Sequence, residues 1–212
     1  MSMSHESVSL SDETANTDQA VNMAVYFHPT CSLHNIPEHP EQPKRVDSIL
    51  AALRTTWPSE LIYRESPKVT SEQILLFHTP KMVDRFEKLA DKTAKTYAYN
   101  KSISYLPIDQ DTTVMHRTKT AAYHSAGAVI AALDHMYADE GDAKKIDTAF
   151  CCVRPPGHHA ERGLAGGFCF FNNVAIGAKY AQKTYGVRKV AVVDFDVHHG
   201  NGEMLNSSVD IF

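Results

Sequence analysis

The run Val190-Ala191-Val192-Val193-Asp194-Phe195-Asp196-Val197-His198-His199-Gly200-Asn201-Gly202 decides how the rest of the chain is read. Apolar, β-favouring residues lead into two acids and two histidines and then break at glycine. A buried parallel strand that ends this way presents metal-ligand chemistry at its carboxyl end, where open α/β sheets place their sites. On extended backbone side chains alternate, so Asp194, Asp196 and His198 project to one side. A carboxylate and an imidazole, Asp196 and His198, suit zinc or a neighbouring first-row ion. The competing reading of Asp196 is an ion pair or a helix cap. For Asp194 it is a support that orients a histidine.

Upstream, the elements form an α/β series. Thr148 to Val153 reads as a strand, followed by a glycine-rich loop, a helix from Asn173 to Tyr185 and the strand from Val190 to Phe195. Such alternation implies crossover units and a mainly parallel sheet between helical layers. Earlier, Met23 to Phe27 and Leu61 to Tyr63 read as strands. Arg45 to Leu53, Ser71 to Leu76 and Pro80 to Leu89 read as helices, the last with proline where the missing N–H costs nothing. Asp91 to Asp111 shows no sustained period and is expected to be a loop with at most one helical turn. Thr113 to Tyr137 is expected to be one long helix packed on the sheet. His28 to Pro43 carries four prolines and must be a loop, an ordered one if its three histidines are used. Val209 to Phe212 begins another strand and stops, which makes the chain look like a fragment.

The 212 residues are 43% apolar and 22% charged with a formal charge of −4, an ordinary globular composition without a basic surface for nucleic acid. No stretch approaches the length of a membrane span. Residues 1–20 are polar and are expected to be a disordered tail before a domain at 21–212; they resemble neither a signal nor a transit peptide. Four cysteines in no disulfide-like framework point to a reducing compartment, nuclear or cytoplasmic, rather than to secretion.

The second chemical cluster is Arg154-Pro155-Pro156-Gly157-His158-His159-Ala160. Two prolines hold the backbone extended, a glycine turns it, and two adjacent histidines emerge beyond a strand end, where they suit proton transfer. A lone histidine is most often a surface or core residue. A pair here, with a second histidine and acid cluster downstream, argues for a site. His28, Cys31, His34 and His39 offer a further set of metal-ligand types, but their spacing fits no standard finger and an ordinary loop is preferred.

These residues carry a resemblance. Together with Gly166-Gly167-Phe168-Cys169-Phe170-Phe171-Asn172-Asn173 and His39-Pro40-Glu41-Gln42-Pro43-Lys44-Arg45, the two clusters resemble the motifs of the zinc-dependent histone deacetylases, in order, from Tyr26 to Phe212. The resemblance implies a three-layer αβα fold of the arginase/deacetylase type, truncated at its C-terminus. It implies that Asp196 and His198 are two of three zinc (Zn2+) ligands, that His158 and His159 are the catalytic pair, and that Asp194 supports His158 and contributes to a structural potassium (K+) site. Gly167 and Phe168 would line an acyl-lysine tunnel with Asp111 at its rim, and Arg45 would lie below the site. Asn201 stands where some members carry aspartate and the class II branch carries asparagine. Its amide orients His159 without adding charge, which points to class II.

The implied reaction is zinc-dependent hydrolysis of the ε-acetamide of lysine on histones or other proteins, with corepressor-type proteins as further partners. The family's third ligand, an aspartate, and its carbonyl-polarising tyrosine have no counterpart before Phe212, so the isolated chain is expected to be inactive or unstable. The alternatives are a deacetylase of small acetylated amines such as polyamines, and a noncatalytic binding or scaffold module. Arginase-type two-manganese chemistry fits poorly with the histidine pair.

Overall fold

Strand β1, Met23–Phe27, is the middle of a three-stranded sheet, with parallel partners β2, Leu61–Glu65, on one edge and β5, Thr148–Cys151, on the other. The computed structural model describes residues 22–139, 141 and 145–202, and the backbone of 210–211. The expected tail at residues 1–20 lies outside the described residues, as do Val209 and Phe212 of the expected last strand.

Alternation along β1 sorts the core onto the two faces of the sheet. Val25 and Cys152 pack with Val46 and Leu50 of helix α1, Lys44–Thr56. Ala24 and Tyr26 face Ala128, Ala131 and Ala132 of helix α4, Thr118–Met136. The sheet is thus sandwiched between helices, the three-layer arrangement that alternating strands and helices predict. Helix α4 is buried around most of its circumference because its far side packs on helix α5, Asn173–Tyr185, and helix α3, Pro80–Asn100. Short helix α2, Ser71–Ile74, opens with a capping box in which Thr70 Oγ1 accepts from Gln73 N–H.

Three expectations are corrected. Helix α3 continues into the first half of the segment expected to be loop and stops at Lys101, which is left-handed at φ 60°. Its buried stripe passes from Val83 and Phe86 to Ala90 and Thr93, and then to Tyr97 stacked on His116. Small and polar side chains carry the period, so apolarity alone hides it. Second, Thr113 does not begin α4. Strand β3, Leu106–Pro107, pairs antiparallel with β4, Thr113–Val114, around a turn in which Asp109 Oδ1 accepts from the N–H groups of Asp111 and Thr112 at 3.1 and 2.6 Å.

Third, the run from Val190 to Phe195 is not a buried strand. Only β6, Ala191–Val192, is regular, and it pairs in parallel with β7, Asp210–Ile211, rather than with the main sheet. Val193, Phe195 and Val197 are 71%, 95% and 91% exposed, because no described element packs over that side.

Candidate active site

Beyond β6 the chain leaves regular strand and runs through Asp194, Asp196 and His198. The carboxylate of Asp194 faces the histidine loop, Oδ2 lying 2.9 Å from His158 Nδ1, while its Oδ1 takes the Asp196 N–H at 3.0 Å. Burial works against its charge, yet these two donors outweigh burial and hold its carboxyl below the ordinary range. Two residues on, Asp196 Oδ2 takes the His198 N–H at 2.8 Å and lies 3.0 Å from His198 Nδ1. The first of these bonds does most to hold the Asp196 carboxyl below its ordinary range.

The histidine loop leaves β5 through a cis Arg154–Pro155 bond, not a uniformly extended run. His158 and His159 stand with ring centroids 4.0 Å apart. His159 Nδ1 is 2.7 Å from Asn201 Oδ1, and the other end of that amide, Nδ2, donates to Glu161 Oε1 at 2.7 Å. The turn carrying Asn201 can come this close only because residue 202 is glycine. A Cβ there would sit 2.7 Å from the His158 carbonyl oxygen, to which the Gly202 N–H itself donates.

The opposite wall is the turn at Gly166–Cys169. Gly167 has φ +54°, and a Cβ on it would lie 2.5 to 2.7 Å from the His159 side chain, so only glycine lets this wall approach His159 so closely. Phe168 is itself left-handed, at φ 69°, with its N–H held by Thr112 Oγ1 at 2.9 Å. Its ring meets that of His39 edge-on at 4.6 Å, and the His39 Nε2 lies 3.0 Å from the Asp111 carbonyl oxygen.

Asp111, His158, His159, Gly167, Phe168, Asp196 and His198 line one cleft of about 470 Å3, with Pro40, Glu41 and Arg45 on its remaining side. Asp194 and Asn201 stand behind the two histidines, each gripping one Nδ1. Arg45 is exposed and lies 3.6 Å from Glu41, whereas Glu41 and Arg154 are buried. The residues His28, Cys31, His34 and His39 do not form a metal centre. His28 stacks on His124, Cys31 and His34 lend their carbonyls to Arg154, and His39 braces the rim.

Sequence reasoning missed Glu161, Thr112 and the Glu41–Arg154 pair. Arg154 and Glu41 lay inside quoted motifs, but nothing in their spacing said that they meet. Glu161 follows the histidine pair closely, and only the turn at Asn201 reveals its use.

The donors fit zinc in kind: one carboxylate oxygen and one imidazole nitrogen, 3.0 Å apart and facing the cleft. Two donors on one tetrahedral ion with bonds of about 2.0–2.1 Å would stand roughly 3.3 Å apart. Among the described residues no third His, Cys, Asp or Glu joins them.

Histidines held by partners at Nδ1, beside a carboxylate and an imidazole, are the side-chain types that metal-assisted hydrolases use. Residues 39–208 match the family model described as the histone deacetylase domain. Type-2 histone deacetylase 1 of Dictyostelium discoideum is 34% identical over 226 residues, which cover 85% of this chain and 15% of that protein. A histone deacetylase-like amidohydrolase of Pseudomonas aeruginosa is 36% identical over 165 residues, 78% of this chain and 39% of that protein. Among solved structures, the crystal structure of the HDA15 HD domain matches with a TM-score of 0.75 at 32% identity, over 91% of this chain and 52% of that one. The chain belongs to the histone deacetylase family, whose members are zinc-dependent amidohydrolases. It spans well under half the length of these curated relatives and about half of the HDA15 HD domain. Among the described residues no helix is long and apolar enough to cross a membrane.

Proposed function

We propose that this chain supplies the histidine pair, two zinc ligands and the tunnel wall of a protein lysine deacetylase of the class II type. The observation that carries this reading is the pair of relays, His158 to Asp194 and His159 to Asn201, opening onto the cleft that holds Asp196 and His198. Asp196 and His198 would hold zinc, which when bound supplies a Lewis acid for the amide carbonyl and brings water toward a pKa of about 7.

The remaining steps belong to the protein. With Nδ1 engaged by Asn201, His159 has Nε2 for the proton of the attacking water. It returns that proton to the lysine nitrogen as the carbon–nitrogen bond breaks, giving acetate and a free amine; such transfer is typically worth about 10²–10⁴ in rate. His158, tied to an ionised Asp194, stabilises the charge that develops on the carbonyl oxygen. Phe168 and Gly167 pack along the lysine methylenes, and Asp111 at the rim offers an acceptor to the substrate backbone.

Acetylated proteins are the substrates proposed, inside the cell in the nucleus or cytoplasm, where the four unpaired cysteines are at home. Corepressor-type partners remain part of the proposal. So does structural potassium at Asp194, for which a higher melting temperature in KCl than in NaCl is the expected sign. The second reading is hydrolysis of small acetylated amines, to which the Asp111 carboxylate at the cleft mouth is also suited.

A substrate panel on the catalytic domain containing this chain separates the two. Zinc-dependent release of acetate from an acetyl-lysine peptide, lost in Asp196→Ala and His198→Ala, is the result expected. Turnover confined to acetylpolyamines favours the second reading, and no turnover of either favours a binding module.

A further inference from the structure

Asn201 presents a problem that the family pattern leaves open. An amide has two ends, one that accepts and one that donates, and they differ by a rotation of half a turn. If the oxygen faces His159, Nδ1 must carry the proton and Nε2 is a free base. If the nitrogen faces His159, Nδ1 must accept, the proton sits on Nε2, and the ring cannot take a proton from water at that atom.

The structure contains the element that decides. Glu161 Oε1 lies 2.7 Å from the end of the Asn201 amide remote from His159. An ionised carboxylate only accepts, so the atom facing it must be Nδ2, and Oδ1 is left for His159 at 2.7 Å. Glu161 is itself fixed, by a reciprocal backbone pair with Leu164 at 2.8 and 3.4 Å, and the next residue's carbonyl accepts from Thr79 N–H. The Gly202 N–H, bonded to the His158 carbonyl, clamps the Asn201 turn against the same loop.

We propose that Glu161 is a positioning residue, which orients the Asn201 amide and thereby selects the His159 tautomer with a bare Nε2. It also places a negative charge one amide beyond the histidine, so the relay runs Glu161, Asn201, His159. The inference deepens the hydrolase reading, on which its catalytic consequence rests; the placement of the proton is testable without turnover.

The test uses the full chain with 15N-labelled histidine, at a pH where the ring is neutral, reading which His159 nitrogen carries hydrogen. The parent chain is expected to show Nδ1–H. In Glu161→Lys the ammonium can only donate, so the amide turns over and the proton moves to Nε2. In the double variant Glu161→Lys with Asn201→Asp, a carboxylate accepts from both neighbours and Nδ1–H returns. Should the lysine variant fail to fold, Glu161→Ala, whose amide is free to turn, is expected to give a mixture of tautomers. An Nε2–H parent, or pure Nδ1–H in a folded Glu161→Lys or Glu161→Ala chain, overturns the proposal. Absence of deacetylase activity would count against the hydrolase reading and leave this readout intact.

Discussion

Arg154 and Glu41 form a two-pronged ion pair, with Nε and Nη2 each 2.7 Å from a carboxylate oxygen and both side chains 2% exposed. Arg154 also donates to the carbonyls of Cys31, His34 and Glu41. One guanidinium therefore fastens the proline-rich loop to the turn that carries His158 and His159. Removing one partner leaves a buried charge uncompensated, a loss of roughly 3–5 kcal/mol. Glu41→Ala is expected to lower the urea midpoint accordingly, and Arg154→Lys to lower it as well, since an ammonium cannot reproduce the fork. A midpoint within error of the parent for Glu41→Ala would sink this account.

Zinc affinity is expected to depend on both cleft-facing donors. Either Asp196→Ala or His198→Ala should weaken zinc binding by more than about tenfold, since even removal of a supporting partner typically costs 10–100-fold. Isothermal titration of the parent and the two variants measures this. Equal affinity in all three would place the ion elsewhere.

Two buried histidines give stability a defined pH dependence. Burial pushes His34 down to about 3 and His78 to about 4, against an unfolded value near 6.5. Asn172 N–H donates to His78 Nε2 at 2.9 Å, so that ring uses a bare nitrogen that protonation would block, and the Thr118 hydroxyl lies 3.0 Å from His34 Nδ1. Because the folded values are lowered, the unfolded chain binds more protons below about pH 6.5. The contribution is complete above that value and is lost as pH falls toward 4, at up to about 1.4 kcal/mol per pH unit for each ring. Unfolding at pH 7, 6 and 5 should therefore show a shallower slope in His78→Asn than in the parent. Parallel slopes would refute the assignment.

Gly202→Ala tests the closeness of the Asn201 turn. The added methyl meets the Ala160 and His158 carbonyls, and overpacking of this kind typically costs about 1–3 kcal/mol. The expected outcome is a lower melting temperature together with loss of hydrogen-exchange protection at the residue 202 amide. An unchanged melt would mean that the turn is looser than described.

The sandwich of helices around a parallel sheet was legible because β-branched runs alternate with helical periods, and Val25 and Ala24 do point to opposite layers. The convergence of the two histidine-bearing clusters on one cleft was legible because both were read as lying just beyond strand ends. Helix α3 was not, because Ala90 and Thr93 carry its stripe without strong apolarity. Glu161 was not, because its role arises from a contact across 40 residues that depends on Gly202 letting two backbones meet. The burial expected of residues 190–195 failed for a different reason: apolar sequence states what a strand needs, not which segment provides it.

The run that sets Asp194 against His158 and Asp196 and His198 along the cleft leaves Val193, Phe195 and Val197 exposed. The proposed zinc ligands and the colloidal behaviour of the chain are thereby written into the same short run. In the 212-residue chain by itself, an exposed ridge of this kind beside a short strand edge invites self-association at high concentration. Threonine at 193 and 197 and lysine at 195 should hence raise the concentration at which light scattering reports a monomer, while zinc affinity stays where it was.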